Sequence, residues 1–142
     1  FMETFTAQRP NSEVIEVPTE WDSAQAQEGV EAILNSRDDI KMVANAWDGG
    51  TMGAKAALEN LGYGPGDVKL VGFDGASDAI VAMDEGWVHA DTAQMLYQMG
   101  YQGIKAAAAA ARGEEVEARI DTGYFLVTPE TSAEYKEMIG ME

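Results

Sequence analysis

The 142-residue chain is 46% hydrophobic and 24% charged, enough apolar material for one globular domain with a real core. Its 25 acidic against 9 basic side chains give a formal charge of −16, which argues against a nucleic-acid partner because phosphate binding needs a basic footprint. Zero cysteines exclude disulfides and thiolate metal sites, and no run of 18 apolar residues is present to cross a membrane.

In chain order, "FMETFTAQ" reads as a helix stopped by Pro10 and "SEVIEV" as a strand closed by Pro18. "WDSAQAQEGVEAILNS" is a helix with Asp22 as N-cap, Gln25 at the capping-box spacing, and Ala26, Val30, Ile33 and Leu34 on a buried face. "IKMVANA" is a second strand, the turn "WDGG" follows, and "TMGAKAALENL" is a helix with Met52, Ala56 and Leu58 turned inward. "GYGPG" is punctuation that matches neither a dinucleotide fingerprint nor a Walker loop, so no phosphate cradle and no cofactor are expected. "VKLVGF" is a third strand, "SDAIVAMDE" a short helix and "WVHADTA" a fourth strand. "LYQMGYQGIKAAAAAAR" is a long helix ended by Gly113, "YFLVT" a last strand, and "TSAEYKEMI" a closing helix.

Strands alternating with helices of this length predict an α/β fold: a doubly wound parallel sheet with helices on both faces. Ligands of such sheets bind beyond the carboxyl ends of the strands. That edge collects Trp21, Trp47, Asp74 and Gln94, with Asn45 and Asp48 as further candidates at the second strand's end. An indole covers the C–H face of a sugar or polyol, while a carboxylate and an amide meet the hydroxyls on its rim. Structural roles compete. Asp74 could cap the helix near Ser77, Asp48 the helix it precedes, and Trp21 could staple onto Ala26. Trp47, between a strand and two glycines, is harder to explain as core. His89 is the only histidine and has no nucleophile or further ligands beside it, so no catalytic or metal role is expected.

With these residues in place, the sequence resembles the type I periplasmic solute-binding proteins of ABC transporters, of the ribose-binding sort. The specific part is the pair "VGFDG" and "TAQ", about twenty residues apart; "PTEWDSAQAQEGVEAILNSRDDIKMVANAWDGGTMGAKAAL" and "DTGYFLVTPETSAEY" extend it. The resemblance implies a stacking role for Trp21, a hydroxyl-gripping role for Asp74 and a hinge role for Gln94. Trp47 departs from the pattern, standing in "AWD" where ribose-type members have an asparagine before the aspartate. A less polar monosaccharide or a polyol fits that exchange.

The resemblance also implies a two-lobe receptor, of which this chain resembles the C-terminal half. Residues 1–94 would form the ligand-binding lobe, 95–122 a crossover helix belonging to the missing N-terminal lobe, and 123–142 the return strand and terminal helix. The chain opens at Phe1 with no signal-peptide pattern, giving the expectation of a processed chain or a fragment. With the lobe's first, central strand lacking, the chain is not expected to fold as an isolated monomer in the family geometry. The implied partners are a monosaccharide or polyol, a transporter permease and the other half of the protein. The implied place is the periplasm, or the outer surface of a Gram-positive cell on a lipid anchor. The rivals are the effector-sensing domain of a sugar-responsive transcription regulator, which shares this fold, and an α/β enzyme using Asp74 and Asp48 as acid and base.

Overall fold

The computed structural model describes residues 2–141. Its elements run α1 (Met2–Gln8), α2 (Ser23–Ser36), β1 (Met42–Ala44), α3 (Asp48–Asn60), β2 (Lys69–Asp74), α4 (Ser77–Asp84), β3 (Val88–Gln94), α5 (Leu96–Ala111), β4 (Tyr124–Val127) and α6 (Ser132–Ile139). The strands form one sheet in chain order, β1-β2-β3-β4, with the first two pairings parallel and the last antiparallel.

The helices between parallel strands behave as the periodicity predicts. In α2 the Asp22 carboxylate accepts from the N–H groups of Ala24 (2.8 Å) and Gln25 (3.0 Å), and Ala26, Val30 and Leu34 are buried. α2 packs along α3, and α3 and α4 lie against β2 and β3. On α3 it is Ala54, Ala57 and Leu58 that are fully buried, while Met52 sits at the core's margin and Ala56 is half-buried. The core sits between these helices and the sheet face carrying Leu70, Val88, Ala93 and Val127. α6 closes the end of it, with Tyr135 stacked on Phe125 at 5.6 Å.

Three features differ from the sequence reading. "SEVIEV" is not a strand: residues 12–17 lie exposed, with Val17 against Gly29 of α2. A strand needs a ladder partner, and the outer edge of β1 has none among the described residues. β4 runs antiparallel to β3, with Gln94 opposite Tyr124. A parallel return needs a crossover helix packed on the sheet, and α5 buries none of its residues, so the chain comes back along the edge it left. Helical cover is also unequal. On the second face Phe73, Tyr124 and Leu126 are exposed, and α1 borders this face beside Thr92 and Tyr124.

Candidate functional site

The ends of β1, β2 and β3 bring the predicted residues to one edge in two pairs. Trp21 precedes the cap of α2 and Trp47 occupies the N-cap position of α3, and their rings meet edge to face at 5.7 Å. Trp21 does not staple α2, because 71% of it stays exposed. The Trp47 ring lies over Gly49, where a Cβ would run into it, and its Nε1 stands beside Gly50 together with the Asn45 Oδ1. Asn45 is half-buried, and its Nδ2 donates to nothing among the described residues.

The second pair is Asp74 and Gln94, joined by a 2.5 Å hydrogen bond from Gln94 Nε2 to Asp74 Oδ1. Asp74 does not cap α4, whose N-cap position is Ala76 without any side-chain cap. Its carboxylate is half-buried at the mouth of β2, fixed on one oxygen by the amide. Among the described residues, the non-glycine positions with positive φ are Glu20 (46°), Trp21 (59°) and Asp74 (127°). Such backbone costs about 1–3 kcal/mol per residue and persists where the surroundings impose it, typically at ligand clamps. Two of these three, Trp21 and Asp74, are also the candidates that chemistry and position past the strand ends pick out of the sequence.

Beneath the Asp74 loop lies a second layer that sequence reasoning missed. Asp48 is only 2% exposed and, contrary to expectation, does not cap its own helix. Its Oδ1 accepts from the Phe73 N–H (3.1 Å) and its Oδ2 from the Ala76 N–H (2.7 Å), so it braces the loop from below. The reason is geometric: as the first residue of α3, Asp48 points its side chain across to the neighbouring strand end. Asp91, on β3 and fully buried, accepts from the Gly75 N–H (3.0 Å), and Tyr135 donates its hydroxyl to the Gly75 carbonyl (3.0 Å).

The two acids face each other across Gly72, where an added Cβ would strike Asp91 Oδ2 and Asp48 Oδ1. Burial, reinforced by Asp48, pushes the Asp91 carboxyl up to about 8. Burial raises Asp48 as well, and the Tyr135 hydroxyl is raised by burial and then by the two acids. A signal for Asp91 exists in the sequence: it shares strand parity with the buried Ala93, an odd position for an aspartate. Tyr135 leaves no comparable trace.

The site is an open surface. Two surface concavities lie elsewhere, one between α1 and the sheet at Thr92 and Tyr124 and one between α5 and residues 115–120. Two rings and a hydrogen-bonded carboxylate lie at this edge, with Trp21 exposed to solvent.

Comparison with known proteins agrees with this geometry. Residues 1–115 match the periplasmic binding protein domain family. The ribose import binding protein RbsB of Escherichia coli is 31% identical over 110 residues, covering 78% of this chain and 36% of that protein. Its counterpart in Haemophilus influenzae is 30% identical over 103 residues, or 72% of this chain and 34% of that one. Among solved structures, an ABC transporter solute-binding protein from Bacillus halodurans with bound myo-inositol superposes with a TM-score of 0.73 at 37% identity, over 82% of this chain and 40% of its own. A periplasmic solute-binding protein from Actinobacillus succinogenes with bound D-allose reaches a TM-score of 0.85 over 94% of this chain and 47% of its own; at 24% identity it speaks for the fold. The chain therefore spans between about a third and a half of the length of the proteins it matches. It belongs to the periplasmic binding protein domain family.

Proposed function

We propose that the chain is one lobe of an ABC-transporter solute receptor that captures a monosaccharide or polyol between two lobes and delivers it to a membrane permease. The observation that carries this is the Asp74 carboxylate, fixed by Gln94 on strained backbone at the same sheet edge as the Trp21–Trp47 pair. The rings cover the C–H face of the solute, and the carboxylate accepts its hydroxyl hydrogens. Asn45 lies at the rim as a further donor, whereas Asp48 supports the loop from below. The relative from Bacillus halodurans, which carries myo-inositol, supports the solute class. The role is binding and delivery in the periplasm, without turnover; among the described residues no helix is long and apolar enough to cross a membrane.

In this reading residues 1–94 and 123–142 form the lobe, and 95–122 reach across to the other. Support comes from α5, which exposes Leu96, Tyr97, Tyr101 and Ile104 and buries nothing against this lobe. Residues 1–142 expressed alone are therefore expected to self-associate or to unfold without cooperativity. Size-exclusion chromatography with a denaturant series checks this; a monomer with one sharp transition would contradict it.

The site assignment is tested by Trp21→Ala in a protein carrying both lobes. Losing an exposed ring that becomes a solute platform is expected to weaken binding by roughly tenfold to a hundredfold, with thermal stability unchanged. Isothermal titration with D-ribose, D-allose and myo-inositol reads the change. Equal affinity of wild type and variant for whichever sugar binds removes Trp21 from the site.

A further inference from the structure

Asp48 and Asp91 are two buried carboxyl groups that converge on Gly72, with no cation beside them among the described residues. Every cation on the elements packed around them is engaged elsewhere: Lys55 of α3 with Glu59, Lys69 of β2 with His89 of β3, and Lys136 of α6 with Asp84 of α4. The polar groups that do face the pair are the Thr51 hydroxyl of α3, the Asp74 carboxylate on the loop and the Tyr135 hydroxyl of α6. None is a positive charge.

Three of the four carboxyl oxygens are accounted for by backbone donors: Phe73, Ala76 and Gly75. The fourth, Asp91 Oδ2, is buried and receives no hydrogen bond from any donor among the described residues. Its neighbour is Asp48, which faces it across Gly72. Two bare carboxylates in that position would repel in a low-dielectric interior, whereas one acid and one carboxylate attract. A proton on Asp91 Oδ2, donated to Asp48, satisfies the orphaned oxygen and removes the repulsion together.

We propose that Asp91 is a positioning residue: it shares one proton with Asp48, and this proton holds Phe73, Gly75 and Ala76 so that the strained Asp74 between them keeps its ligand-facing shape. Asp91 touches no solute. It acts through the three N–H groups that flank Asp74. The proton sharing is independent of the sugar reading; only its consequence for the ligand rests on that reading.

The pH dependence follows from linkage. With its folded value raised to about 8, Asp91 binds a proton in the fold that it gives up in the unfolded chain. The stability it contributes is fully present below the unfolded carboxyl range of about 4, and it is lost as pH rises through the folded value of about 8.

The test is ligand-free and uses the two-lobe protein, so its failure is separable from failure to bind sugar. Carboxyl 13C titration is expected to find Asp91 protonated at pH 6. Hydrogen exchange, corrected for its intrinsic base catalysis, is expected to show roughly tenfold lower protection at Phe73, Gly75 and Ala76 at pH 9 than at pH 6. Asp91→Asn keeps an acceptor for Gly75 and gives Asp48 a permanent N–H donor, so its protection should no longer fall with pH. An Asp91 carboxyl titrating near ~4 in the wild type overturns the proposal without any variant. An unchanged pH profile in a folded Asp91→Asn protein overturns it as well.

Discussion

Asp74→Ala is expected to weaken solute binding by roughly 100-fold or more in the protein with both lobes. Hydrogen bonds to a charged acceptor are worth about 1.5–3 kcal/mol each, and removing the carboxylate deprives a hydroxylated solute of up to two of them. About 3 kcal/mol is roughly two orders of magnitude in affinity. Backbone contributes to the same loss. Asp74 sits at φ 127°, and alanine there retains the strain without the Gln94 hydrogen bond that restrains the loop. Asp74→Asn separates the two effects, since it keeps an oxygen for Gln94 and discards the charge. A smaller loss, roughly tenfold, is expected for that variant, with isothermal titration as the measurement. If Asn and Ala weakened binding equally, charge would account for the effect and loop shape would not.

Gly72→Ala should destabilise the fold by about 3 kcal/mol although its backbone is ordinary strand. The new methyl would enter the point where Asp91 Oδ2 and Asp48 Oδ1 converge, with Thr51 Oγ1 at 3.1 Å. Neither acid can retreat without dropping backbone donors that nothing else satisfies, and an unsatisfied buried donor costs about 1–3 kcal/mol. Gly64→Ala is the control: its backbone is not left-handed and its Cβ would meet nothing nearer than Asp67 Oδ2 at 3.5 Å, an ordinary contact, so an effect within about 1 kcal/mol is expected. Urea denaturation of the two variants beside the wild type, each in the protein carrying both lobes, gives the comparison. Equal midpoints for Gly72→Ala and wild type would show that the two acids do not meet at Gly72.

Both expectations depend on the strand ends, and these were legible in the sequence because hydrophobic runs announce buried parallel strands. "KLVGFD" and "VHADTAQ" are β2 and β3, and the residues that close them, Asp74 and Gln94, form a hydrogen-bonded pair. "SEVIEV" has the same strand-like alternation and forms no strand, because alternation records a preference for pairing and says nothing of whether a partner is at hand. The direction of β4 was hidden from periodicity: it depends on whether α5 lies on the sheet, which the apolar residues of a 16-residue helix do not reveal, although the family resemblance implies that this helix leaves the lobe.

The site shows the same division. Trp21, Trp47, Asp74 and Gln94 could be named from chemistry and position along the chain. Asp48 could be named but not given its role, because cap and brace differ only in where the side chain points. The partnership with Asp91, 43 positions later, arises from the β2–β3 pairing that sets Gly72 opposite Asp91.

Whether this sheet edge grips a hydroxylated solute is decided by titration calorimetry of the two-lobe protein against D-ribose, D-allose, D-fucose, L-arabinose, allitol and myo-inositol. At least one of them is expected to bind with a Kd of about 10 μM or tighter, and Asp74→Ala is expected to remove this binding while the protein stays folded. Binding of none of them, or binding that Asp74→Ala and Trp21→Ala both leave intact, would contradict it.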